Sequence, residues 1–306
     1  MPVQKINDAI FLIDLKPADF ENFIASYVLK GEKTAIIETG PTLTVPNLLK
    51  GLEEINVKPD EIDFVMVSHI HLDHGGGAGT LLEHLPNAKL IVHPRGIPHL
   101  EDPQTLWVQA RKALGKIVDF YGKPQPIPKD RMIPAENNMQ LDLGDDIRIQ
   151  IIETLGHASH HISFFEKSNE ILFPGDTAGI YIRSLDVIVP TTPPLLVLHM
   201  ILDSIEKLKK LEPKKLCYTH FGLADDALGK LDTYANQLKL WASIIKQGLK
   251  NGENLERIRE RIIEEDSAVR KALPYIKNHP IICLLYTSDA ADEGLGVDLG
   301  GRRIIK

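Results

Sequence analysis

The chain opens with short apolar runs separated by turn residues. Residues 9–14, 22–29 and 34–38 alternate with the two-residue period of half-buried strands, and Lys30-Gly31-Glu32-Lys33 supplies a hairpin turn. Leu48, Leu49 and Leu52 share one face of a predicted helix over 44–55. The run Phe64-Val65-Met66-Val67-Ser68 predicts a buried strand, followed by a helix over 79–85 and a strand over 89–93. Residues 94–138 break the rhythm. They are rich in proline, hold Trp107, Phe120 and Tyr121, and read as an insertion that lines a pocket, with a helix over 104–118. Strand patterns return at 139–143, 147–154, 161–165 and 171–174, with Ser168-Asn169 as a turn. A helix over 195–211, a strand over 215–219 and helices over 224–248 and 255–265 complete the pattern. Two blocks of strands with helices outside them predict an α/β protein, a four-layer αβ/βα sandwich. One domain is expected over residues 1–282, of which 195–282 includes the C-terminal helices.

No such period continues into residues 283–306, where Gly294, Gly296, Gly300 and Gly301 recur. Two strings there, C-L-L-Y-T-S-D-A-A-D-E and V-D-L-G-G-R-R-I-I-K, resemble translated sequencing-adapter DNA. The segment is therefore expected to be a non-native tail and is set aside from fold reasoning. Hydrophobic residues at 43% and charged residues at 25% exclude a mainly disordered chain. A net charge of −7 opposes a dedicated nucleic-acid binder. No apolar run reaches the ~18 residues of a membrane span, and the first residues lack the pattern of a signal peptide. Cys217 and Cys283 are too few for a disulfide framework or a cysteine-based zinc site. A soluble, cytoplasmic protein without nucleic-acid or membrane partners is the expectation. Histidine is the residue that changes the picture: there are 12, and they cluster.

The densest cluster is Ser68-His69-Ile70-His71-Leu72-Asp73-His74, followed by Gly75-Gly76-Gly77, directly after the strand at 64–68. On an extended chain His69, His71 and Asp73 share a face, and a turn at the glycines can bring His74 to the same place. Imidazole nitrogen and carboxylate oxygen suit zinc, and also iron, manganese or cobalt. A surface loop holding three histidines by chance is the bland reading, and the density of donor side chains argues against it.

This His-x-His-x-Asp-His pattern resembles the metallo-β-lactamase superfamily, whose metal-binding segments recur in a set order. Gly156-His157-Ala158-Ser159-His160-His161 is similar to the family's G-H-T-P-G-H form, keeping Gly156, His157 and His161 and departing at Ala158, Ser159 and His160. Gly175-Asp176 matches the aspartate segment, and Thr219-His220 the late histidine. Glu38-Thr39-Gly40 stands where the family usually has D-T-G, in a supporting position beside the ligands. The resemblance covers about residues 5–245. It implies two divalent metal ions, zinc first and iron, manganese or cobalt as alternatives. His69, His71 and His157 would hold one, Asp73, His74 and His220 the other, and Asp176 would bridge them. His161 is expected to orient a ligand, and His160 to do so or to join the ligands. His93 and His99 flank the insertion, while His84, His199 and His279 read as surface residues.

Charge counting gives the expected chemistry. Two divalent ions, two carboxylates and a bridging hydroxide leave about +1, so a shared water loses its proton near neutral pH and becomes the nucleophile. The positive site stabilises the anion formed on attack. Asp73 is expected to relay a proton to the leaving group, and Tyr181 to polarise the substrate oxygen, as a tyrosine does in the family's lactonase branch. His71 stands where the flavodiiron branch has glutamate, and no flavin domain follows. Arg257, Arg259, Arg261 and Arg270 alternate with glutamates, as on a solvated helix face, rather than forming a glutathione site. Largely apolar residues around the presumed pocket (Ile97, Leu106, Trp107, Phe120, Tyr121, Ile180, Tyr181, Phe221) favour a small, fairly apolar ester, lactone, phosphotriester or phosphodiester. The alternatives are a glyoxalase II-like thioester hydrolase and a non-hydrolytic di-iron redox or oxygen-binding protein. The apolar helices after Leu195 could close the core or form a homodimer surface.

Overall fold

The computed structural model describes residues 3–193, 196–278 and 297–298. The tail reading of 283–306 falls outside them, apart from Val297–Asp298, which pairs parallel with Leu196–Val197.

The first sheet contains β1 (Val3–Lys5), β2 (Ile10–Asp14), β3 (Ala25–Lys30), β4 (Thr34–Ile37), β5 (Ile62–Met66), β6 (Lys89–Val92) and β7 (Met132–Pro134), in that spatial order. The first four strands are antiparallel, and β4 to β7 run parallel. Parallel neighbours need crossovers. Helix α1 (Val45–Glu54) lies between β4 and β5, and α2 (Ala78–His84) between β5 and β6. Between β6 and β7 come α3 (Ile97–Glu101), α4 (Gln104–Leu114) and α5 (Val118–Tyr121). The expected insertion over 94–138 is corrected here. Its far end is strand β7, paired with β6, so the helices form the crossover of a parallel unit.

The second sheet is built from β8 (Gln140–Asp142), β9 (Arg148–Glu153), β10 (Ile162–Glu166) and β11 (Ile171–Phe173). A hairpin of β12 (Ile180–Ile182) and β13 (Val187–Val189) follows, then β14 (Leu196–Val197) and α6 (Leu198–Lys209). Strands β15 (Lys215–Tyr218) and β16 (Gly222–Asp225) complete the sheet in the order β16-β15-β11-β10-β9-β8. Helices α7 (Ala227–Asn251), α8 (Leu255–Glu265) and α9 (Ser267–Asn278) close the chain. Among the described residues no helix is long and apolar enough to cross a membrane.

Strand alternation sorts the core into three apolar layers. Leu12, Tyr27, Ile37, Met66 and Ile91 of the first sheet meet Ile149, Ile151, Phe164 and Phe173 of the second. Their neighbours Ile13, Val28, Ile36, Val65 and Leu90 face outward, into a cluster with α1, α2 and the end of α7. Leu172, Leu216 and Tyr218 face the other way, against Ile201, Ile205 and Leu208 of α6 and Leu231 and Leu238 of α7. The result is the four-layer sandwich. The apolar faces of α6 and α7 close these cores.

Candidate metal centre

Every candidate ligand sits just past the end of a strand. The loop after β5 carries His69 to His74, the β9–β10 loop His157, the turn after β11 Asp176, and the turn after β15 His220. Four loops from both sheets therefore open on one place, where the sandwich gives them a rigid base.

Strand β5 ends at Met66, two residues short of the predicted strand's end at Ser68, so His69 to Asp73 do not lie on an extended chain. The His71 carbonyl accepts the N–H groups of His74 (3.0 Å) and Gly75 (2.9 Å), closing a turn inside the motif. That turn sends His71 one way and Asp73 the other. The glycines serve it through space rather than through unusual dihedrals: a Cβ on Gly76 would lie 2.3 Å from the Leu72 carbonyl oxygen. Gly175 is different. It has φ +55°, and an added Cβ would come 2.6 Å from His161 Nε2, so both the angle and the space demand glycine before Asp176.

The donor atoms form two groups. His71 Nδ1 lies 2.8 Å from His69 Nε2 and 3.3 Å from His157 Nε2. His220 Nε2 lies 3.2 Å from His74 Nε2 and 3.5 Å from Asp73 Oδ2. Asp176 stands between them, with Oδ2 3.3 Å from His157 Nε2 and Oδ1 3.2 Å from His74 Nε2. His69, His74, His157, Asp176 and His220 are all buried, whereas His71 and Asp73 are half-buried, so the cluster opens to solvent on their side.

Surrounding groups hold the ring orientations. His220 Nδ1 donates to the Phe23 carbonyl at 2.9 Å, and His74 Nδ1 lies 3.3 Å from Glu38 Oε1, which leaves each Nε2 facing the cluster. Glu38, with φ +67°, thus supports His74 as the family's aspartate is expected to. His161 accepts the Asp176 N–H at Nε2 (3.1 Å) and reaches Thr154 Oγ1 from Nδ1 (2.8 Å), so it positions the aspartate loop.

The donor set fits divalent metal ions. Ring nitrogens about 3.3 Å apart span the edge of a tetrahedron with metal–nitrogen bonds of about 2.05 Å. Asp176 Oδ1 is buried and faces Nε2 of His74 (3.2 Å) and of His220 (3.8 Å), a carboxylate oxygen among ring nitrogens, as a shared cation requires. Burial drives the His69 and His157 pKa values down, His157 to about 3, so both imidazoles are neutral and ready to coordinate. Burial raises Asp73, but His74 and the hydrogen bond from His220 outweigh it and leave Asp73 at about 2.

Tyr181 is the candidate that the structure does not bring in. Its hydroxyl donates to Asp186 at 2.8 Å, its ring stacks on Tyr218, and Lys230 Nζ lies 4.7 Å above that ring. Strand β12 buries it among Ile188, Tyr218 and Tyr234, on the face opposite Ile180 and Ile182. The expectation that it polarises the substrate is corrected accordingly. His93 pairs with Glu153 at 3.2 Å, His99 is half-buried, and His84 and His199 are exposed; none of the four joins the donor groups. His279 falls outside the described residues.

Two face-to-face sheets between helices, with histidines and aspartates converging at one edge, define an α/β protein with a site that could hold two metal ions. The chain belongs to the metallo-β-lactamase superfamily, whose family model matches residues 20–220. It is 34% identical over 212 residues, 68% of this chain, to the metallo-β-lactamase fold-containing protein ST1585 of Sulfurisphaera tokodaii, covering 76% of that protein. The crystal structure of an archaeal superfamily member, ST1585 from Sulfolobus tokodaii, superposes with a TM-score of 0.65 at 29% identity, covering 76% of this chain and 86% of that one. Hydroxyacylglutathione hydrolase of Aeromonas hydrophila subsp. hydrophila is 28% identical over 131 residues, which span 41% of this chain and 37% of that enzyme.

Proposed function

We propose that the protein is a dinuclear-metal hydrolase of small, fairly apolar esters, lactones or phosphoesters. One metal would be held by His69, His71 and His157, the other by Asp73, His74 and His220, with Asp176 between them. Zinc suits these nitrogen and oxygen donors, as do iron, manganese and cobalt. The observation that carries the reading is Asp176, which offers one carboxylate oxygen to each group of imidazoles. Bound there, the ions supply Lewis acidity and an activated water.

The chain's own residues do the rest. His71 and Asp73 line the open side, where a substrate enters. Asp73, held ionised, accepts a proton and passes it to the leaving group. Exposed Val108 and Phe120, at 54% and 37%, give the helical crossover an apolar surface suited to an uncharged substrate body. The partner is a small molecule rather than a nucleic acid or a membrane, and the protein acts in the cytoplasm.

A panel of p-nitrophenyl esters, lactones and paraoxon-like triesters, with and without chelator, tests this reading. Metal-dependent turnover of at least one class is expected; a metal-loaded protein inert towards all of them would overturn it. Similarity to hydroxyacylglutathione hydrolase favours thioesters as a second substrate class, so S-lactoylglutathione belongs in the panel.

A further inference from the structure

His160 occupies the position of the second glycine in the G-H-T-P-G-H form, so its side chain adds something to the site. Its ring centroid lies 5.8 Å from that of His71 and 6.2 Å from that of His69, nearly parallel to the latter at 17°. The imidazole is half-buried, and its Nδ1 is buried without a partner. It therefore stands beside the His69–His71–His157 group, at the edge of the centre rather than within the donor groups.

Arg95 is fastened next to it. Nη1 donates to the carbonyl of Ser159, the residue before His160, at 3.0 Å. The rest of the guanidinium is exposed and has no carboxylate partner among the described residues, unlike Arg111, Arg148, Arg257 and Arg261. The nearby acid is already engaged: His93 accepts the Arg95 backbone N–H at Nδ1 (3.1 Å) and faces Glu153 from Nε2 (3.2 Å). An uncompensated guanidinium tethered to the backbone carbonyl that precedes His160 matches the fork of a carboxylate.

We propose that Arg95 and His160 form a carboxylate-binding subsite at the rim of the metal centre. The substrate then has an apolar body and a carboxylate placed apart from the scissile bond. The proposal rests on the hydrolase reading for its substrate, but not for the subsite itself.

Two measurements on the full metal-loaded chain test it. The first compares mono-p-nitrophenyl glutarate with p-nitrophenyl pentanoate, esters of equal length with and without the acid. Wild type should prefer the acid ester by about tenfold or more in kcat/KM, the value of a charge-assisted hydrogen bond, and that preference should fall about tenfold in Arg95→Gln and in His160→Gly. The second needs no turnover: glutarate affinity by calorimetry should weaken about tenfold in both variants. No preference in wild type, or a preference and a glutarate affinity within about twofold of wild type in both variants, overturns the subsite. If no ester is cleaved yet glutarate binding depends on Arg95, the hydrolase reading fails and the subsite stands.

Discussion

The two halves of the donor cluster meet at Asp176 and differ in charge. His69, His71 and His157 have their pKa values lowered, by burial first, so this half is a set of neutral nitrogens. In the other half burial opposes charge but loses. Asp176, Glu38 and Asp73 raise His74 well above its usual value, and the hydrogen bond it donates to Asp73 raises His220. Without metal, that half is a buried network of ion pairs that holds protons where a cation would sit. One half is preset for a metal, and the other must exchange protons for it.

The largest effects should come from breaking each half separately. Asp73→Asn and His157→Ala should both abolish turnover, and elemental analysis should find one metal per chain in each rather than two. Retention of two metals and unchanged rates in either variant would contradict the ligand assignment. Glu38→Gln should weaken only the metal at His74, by about 10- to 100-fold, the usual cost of removing a group that orients a ligand. Zinc titrations checked by metal counting would show it, and an equal loss at both positions would dissolve the distinction.

Proton linkage sharpens the comparison further. His74 and His220 have raised pKa values in the folded protein, so their contribution to metal-free stability is complete below the unfolded histidine value of about 6.5. It is lost as pH rises through their folded values. Asp73 acts in the opposite sense: its contribution is present above the ordinary carboxylate range and is lost as pH falls towards about 2. Metal affinity at the second half should therefore climb with pH, as protons leave, while the first half stays nearly flat above neutrality. Calorimetric titration across that range checks both slopes.

The smallest effect belongs to Tyr181. Phenylalanine there removes one hydrogen bond to an exposed Asp186, so stability should fall by at most about 1 kcal/mol and turnover should hold. A large drop in kcat would return Tyr181 to the reaction.

The seven side chains that converge at the candidate site, His69, His71, Asp73, His74, His157, Asp176 and His220, were all legible along the chain, because side chains able to bind a metal come from a short list and here follow strand ends at recognisable glycines. The alternation that sorts Leu12 from Ile13 and Phe164 from Phe165 was equally readable, since a strand's period of two is a local property. Packing between distant segments settled the rest. Strand β7 gains its place by pairing with β6, not from its own three residues. Tyr181 is claimed by Tyr218 and Asp186, and Arg95 reaches the Ser159 carbonyl across 64 residues of sequence separation. No local pattern encodes such contacts, because their energy depends on what the fold carries to the other side.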